Sequence, residues 1–85
     1  MTESRITFYG ADWCADCRRS KAFLEAHDVA YTFIDVVEDA AAAEKVAGLT
    51  GNNTTIPVIF FDDGAMLIEP SDEVLEAKLT DLAIL

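Results

Sequence analysis

The 85 residues carry sixteen acidic side chains against six basic ones, a formal net charge of −10. That balance argues against a nucleic-acid partner, because gripping a phosphate backbone takes clustered positive charge, and it disfavours an anionic membrane surface. The length allows one domain, residues 1–85, and two cysteines with a lone His27 supply neither a disulfide-stapled scaffold nor the four ligands of a structural zinc site.

Met1–Arg5 shows no basic region followed by an apolar run. No segment approaches the ~20 apolar residues that span a bilayer. The expectation is a soluble, reduced, cytoplasmic monomer.

Ile6-Thr7-Phe8-Tyr9 reads as a buried strand that stops at Gly10. From Ala15 to about Asp28 the pattern changes to good helix formers without Gly or Pro. His27 near its end reads as a cap on the negative dipole. Tyr31 to Val37 reads as a second strand, and the Ala- and Glu-rich stretch from Glu38 to Ala47 as a helix stopped by Gly48. A turn-rich loop, Thr50-Gly51-Asn52-Asn53-Thr54, follows. Val58-Ile59-Phe60-Phe61 is the most strand-like run, and Asp62-Asp63-Gly64 signals a hairpin returning through Ala65-Met66-Leu67-Ile68. Pro70-Ser71-Asp72-Glu73 opens a last helix with Val74, Leu75, Leu79 and Leu82 as its apolar stripe. The order β-α-β-α-β-β-α predicts an α/β fold. Its opening βαβ unit makes a parallel pair and its final hairpin is antiparallel, in a four-stranded mixed sheet with helices on both faces.

Chemistry concentrates at the junction of the first strand and helix, Trp13-Cys14-Ala15-Asp16-Cys17. Two intervening residues let both sulfurs meet within one helical turn, closing a disulfide or separating as thiol and thiolate. Cys14 falls at or just before the helix N-terminus, where free N–H groups and the dipole favour the thiolate. Cys17, one turn in, is shielded and suited to resolving a mixed disulfide. The other readings are a structural pair, half of a metal site, or a cluster shared between two protomers, and no second pair of ligands supports them. Trp13 is expected to shield the motif and pack beside it.

Asp12 and Asp16 flank Cys14, and negative charge disfavours a second anion. Arg18, Arg19 and Lys21 put half of the six basic residues just beyond the site. They read either as a solvated helix face or as a patch that offsets the aspartates and attracts an anionic thiol. A second element is Thr54-Thr55-Ile56-Pro57, where proline at a strand's first residue costs no central pairing. It is an ordinary edge proline or, if its peptide bond is cis, part of a loop offering the Ile56 backbone to a substrate.

Together these segments resemble the thioredoxin superfamily and, in size and order, a glutaredoxin, over nearly the whole chain. Cys14-Ala15-Asp16-Cys17 matches the redox motif and Thr55-Ile56-Pro57 the family's cis-proline loop. Asp63-Gly64 followed by Pro70-Ser71-Asp72-Glu73 looks most like mycoredoxins, which handle mycothiol. The resemblance implies Cys14 as nucleophile and Cys17 as resolving thiol. It implies Thr55, Ile56 and Pro57 lining a groove, with Ser71 and Asp72 holding the polar end of a small thiol; Trp13, Asp16 and Arg18 complete the expected substrate contacts.

Two departures weaken the case for glutathione: Ala11 stands where many glutaredoxins place a Lys, and Glu69-Pro70 replaces their Gly-Gly. Phe8 stands where thioredoxins keep a buried acid. The expected activity is reduction of mixed disulfides between proteins and a low-molecular-weight thiol, mycothiol or glutathione, as co-substrate, with no bound cofactor. The alternatives are a dithiol electron donor to a protein such as ribonucleotide reductase, and a non-catalytic binding module.

Overall fold

The structure is a computed structural model that describes residues 5–51 and 55–85. Its elements are β1 (Ile6–Gly10), α1 (Ala15–Ala26), β2 (Thr32–Asp35), α2 (Ala40–Thr50), β3 (Val58–Phe61), β4 (Met66–Ile68) and α3 (Asp72–Asp81). The sheet order is β2-β1-β3-β4, with β1 parallel to β2 and both other pairings antiparallel. This is the expected mixed sheet. Asn52, Asn53 and Thr54 of the expected loop lie outside the described residues.

Strand alternation divides the apolar residues between two faces. Ile6 and Phe8 of β1, with Ile59 and Phe61 of β3, join Cys17 and Leu24 of α1 and Leu75 and Leu79 of α3 in the larger buried cluster. Tyr9 and Val58 point the other way and meet Ala42 and Val46 of α2. Helices α1 and α3 therefore cover one face and α2 the other. Met66 is half-buried against the second cluster. Val74 departs from the expected stripe and is exposed.

The ends of α1 and α2 differ from their sequence expectation. Helix α2 runs through Gly48 and ends at Gly51, which takes φ 72° and donates its amide to Ala47 O at 2.8 Å. The left-handed position, not the first glycine, sets the stop. Helix α1 ends at Ala26 because Asp28 turns to φ 56° while the Val29 amide reaches back to Leu24 O at 2.9 Å. Helix α3 ends the same way: Ala83 has φ 59° and the Ile84 amide bonds Leu79 O at 2.9 Å. In both, an apolar residue just past the turn (Val29 or Ile84) packs with the core and holds the cap closed without glycine. His27 is the C-cap of α1, and its ring lies 4.4 Å from that of Phe23.

Candidate active site

Cys14 sits between the end of β1 and the start of α1 and caps the helix. Its amide donates to Ala11 O at 3.2 Å, its carbonyl accepts from Arg18 N at 3.0 Å, and its Sγ accepts from the Cys17 amide at 3.3 Å. The sulfur thus takes the place of the side-chain oxygen that usually satisfies a first-turn N–H. Cys14 is half-buried, and both cysteines are free thiols.

Cys17 is completely buried in the larger core cluster. Burial pushes its thiol up to about 12; hydrogen bonding to Cys14 adds to the rise and the Ala11 backbone partly opposes it. The two sulfurs therefore present different chemistry, one reachable at a helix N-terminus and one held neutral beneath it. Glycine at position 10 makes this burial possible. A Cβ there would stand 2.8 Å from Cys17 Sγ and 2.9 Å from Phe8 Cε1. In the sequence Gly10 reads only as a strand end; a glycine just before the motif is the available sign of a close approach.

Trp13 does not pack as expected. It is 69% exposed and offers its ring to solvent beside Cys14. It sits within the turn that the Cys14 amide closes onto Ala11 O.

The basic residues of α1 are mostly paired with the chain's own carboxylates. Arg19 Nη1 donates to Asp16 Oδ1 at 3.0 Å, and its Nε lies 3.7 Å from Asp72 Oδ1. Lys21 Nζ lies 3.5 Å from Asp12 Oδ1 and 4.1 Å from the centre of the Phe33 ring. Arg18 donates to Asp12 O at 3.3 Å and has no carboxylate partner among the described residues. Two of the three cations are thus paired with Asp12, Asp16 and Asp72, and Arg18 is the one without a carboxylate among the described residues.

Long-range contacts bring the expected segments together. The Ile56–Pro57 bond is cis, and Pro57 O accepts from the Glu69 amide at 2.9 Å, tying the proline loop to the turn before α3. Arg19 Nη2 donates to Pro70 O at 3.2 Å, tying that turn to α1. Ser71 caps α3, its Oγ accepting from the Val74 amide at 3.2 Å, and Asp72 begins the helix. Ile56 and Cys14 pack against the same buried cluster. Thr55 is half-buried and directly precedes the cis Ile56–Pro57 bond. The sequence pattern presents Arg19 as patch charge only and gives no sign of its bridging role. Among the described residues, no group of three or more His, Cys, Asp or Glu side chains could hold a metal ion, and no helix is long and apolar enough to cross a membrane.

Comparison with known proteins agrees with this architecture. The glutaredoxin family model matches residues 6–65. A Mycobacterium tuberculosis protein provisionally named a glutaredoxin is 39% identical over 83 residues, covering 98% of this chain and 99% of that protein. Mycoredoxin 1 of Corynebacterium glutamicum is 32% identical over 80 residues, covering 94% and 99%. Among solved structures, a thioredoxin-like protein superposes with a TM-score of 0.73 at 29% identity, covering 85% of this chain and 96% of that one. A glutaredoxin from Archaeoglobus fulgidus gives 0.73 at 24% identity, covering 87% and 84%. The chain therefore belongs to the glutaredoxin family of thiol–disulfide oxidoreductases, on a thioredoxin-like fold.

Proposed function

We propose that the chain reduces mixed disulfides between proteins and a low-molecular-weight thiol, with Cys14 as nucleophile. The Cys14 thiolate attacks the small-thiol sulfur. A bond forms between Cys14 Sγ and that sulfur, the protein–sulfur bond breaks, and the protein leaves as a thiolate that takes up a proton. A second small-thiol thiolate then attacks the mixed disulfide on Cys14. That step frees the Cys14 thiolate and yields the oxidised small thiol, whose two sulfurs supply the two electrons. No bound cofactor enters either step.

The observation that carries this reading is the contrast between the two sulfurs. Cys14 Sγ lies only half-buried at the N-terminus of α1, with an amide donor at 3.3 Å. Cys17 is buried, with its thiol pushed up to about 12, which disfavours it as an attacking thiolate at neutral pH. This supports a one-thiol cycle over a dithiol donor to a protein such as ribonucleotide reductase. On the dithiol route, Cys17 would expel the small thiol and close a Cys14–Cys17 disulfide.

The small thiol is of mycothiol type. Glutathione carries two carboxylates, whereas mycothiol presents mainly sugar and inositol hydroxyls. Two of the three local cations are already engaged by Asp12, Asp16 and Asp72, leaving little positive charge for a carboxylate. Ser71 and Asp72 would take the polar end, and Thr55, Ile56 and Pro57 would line the groove. Trp13, Asp16 and Arg18 would flank the exchanging sulfurs. The protein acts as a single-domain monomer over residues 1–85, in the reducing cytoplasm where free thiols persist.

The test compares mycothiol, glutathione and bacillithiol mixed disulfides as substrates for the wild type, Cys14→Ser and Cys17→Ser. The mycothiol substrate is expected to turn over fastest, with activity lost in Cys14→Ser and kept in Cys17→Ser. Full activity without Cys14 would end the proposal, and loss of activity without Cys17 would return the dithiol route.

A further inference from the structure

Resting on the function just proposed, we propose that Arg19 is a positioning residue that holds the Pro70–Asp72 turn against the Cys14–Cys17 helix and so sets affinity for the small-thiol half of the substrate. Its guanidinium uses all three nitrogens on two segments far apart in sequence. Nη1 donates to Asp16 Oδ1, inside the motif, at 3.0 Å, and Nη2 donates to Pro70 O at 3.2 Å. Nε faces Asp72 Oδ1 at 3.7 Å. The planar fork matches this divided target in a way a point charge does not.

The Asp72 carboxylate shows what depends on that fork. Its Oδ1 is enclosed and has no hydrogen-bond partner, so Arg19 Nε is the cation that compensates it. The side chain is otherwise half exposed, which leaves the rest of the carboxylate facing solvent. Without Arg19 the enclosed oxygen loses its compensating charge, and the start of α3 must turn to rehydrate it. The preceding turn is poorly placed to resist, since Glu69 there adopts φ 47°, a conformation L residues disfavour. On its other side the Glu69 amide bond to Pro57 O ties it down. Arg19 touches neither sulfur, so its effect falls on substrate affinity and not on exchange itself.

The experiment measures KM and kcat with a mycothiol mixed disulfide of a cysteine-containing peptide. It uses the wild type, Arg19→Met and Arg19→Lys, with Arg5→Met as control. Arg5 pairs with Asp62 at 2.8 Å at the start of β1, away from the motif. Arg19→Met is expected to raise KM about 3- to 10-fold with kcat little changed, Arg19→Lys to recover part of the loss, and Arg5→Met to behave as wild type. Direct reduction of hydroxyethyl disulfide, whose short arms lack the polar groups of mycothiol, is expected to be unaffected by any of the three. An unchanged KM in Arg19→Met overturns the inference, as does a parallel loss on both substrates, which marks general damage. A wild type inactive on every mixed disulfide overturns the proposed function itself and this inference with it.

Discussion

Cys17 Sγ is seated against Gly10, in a space that a single methyl group would fill. A Cβ on residue 10 would lie 2.8 Å from the sulfur, 2.9 Å from Phe8 Cε1 and 3.3 Å from Phe33 Cε1. Phe8 and Cys17 are fully buried, so neither can swing into solvent. Gly10→Ala is therefore expected to destabilise the protein by about 1–3 kcal/mol, the usual cost of overpacking a filled core. Urea denaturation under reducing conditions checks this, and a midpoint equal to wild type would show that the sulfur moves aside freely.

The same burial fixes how stability responds to alkali. Cys17 is raised in the folded state to about 12, while an unfolded cysteine ionises near ~8.5. Below ~8.5 both states hold the proton and pH has no effect through this group. Above it the unfolded chain loses the proton first, so stability falls as pH rises toward the folded value. Tyr31, pushed up to about 12 by burial and by Glu25, adds its own loss only above the ~10 of a free phenol. Between those two thresholds the decline belongs to the thiol. Reduced wild type is expected to lose stability between about pH 8.5 and 10, and Cys17→Ala to lose less; parallel profiles for the two would refute the assignment.

Local signals in the sequence served the fold and the motif well, because they act over a few residues. The run Val58–Phe61 followed by a turn with Gly64 at φ 89° defined the hairpin. The two-residue spacing put Cys14 at the helix cap and Cys17 inside. The helix ends were harder. Glycine at 48 looks like a stop but has open space around it and stays helical, whereas α1 and α3 stop at Asp28 and Ala83. There the stopping force is burial of Val29 and Ile84, which composition does not advertise. The bridge from Arg19 to Pro70 spans 51 positions, and no local pattern announces it.

Lys78 ties α3 to the β3–β4 hairpin through Asp63, Nζ to Oδ2 at 2.6 Å. The hydrogen bond from Lys78, helped by the Ala65 amide, holds the Asp63 carboxyl below its ordinary value. A carboxyl lowered on folding stabilises the fold above its unfolded pKa of ~3.9 and loses that contribution as pH falls through the folded value. Lys78→Met is expected to be less stable than wild type at pH 7, with the gap closing as Asp63 becomes protonated. Thermal melts at pH 7, 5 and 3 check this; a gap that stays constant would assign the loss to the packing of the Lys78 stem, whose ammonium lies 5.7 Å from the centre of the Phe61 ring.

Cys14 holds two positions at once, an exchangeable sulfur and the N-cap of α1, and substitutions separate them. Sulfur is a weak acceptor, and here it meets the Cys17 amide at 3.3 Å. A serine oxygen is among the best caps, and replacing such a cap by alanine costs about 0.5–2 kcal/mol. Cys14→Ser is expected to equal or exceed the wild type in stability, with Cys14→Ala below it by about that margin. Neither variant carries a sulfur at position 14, so both are expected to lose exchange activity. Denaturation curves and the mixed-disulfide assay, run on the same preparations, read the two properties independently. Equal stability of the serine and alanine variants would show that the contact with the Cys17 amide does not hold the helix end.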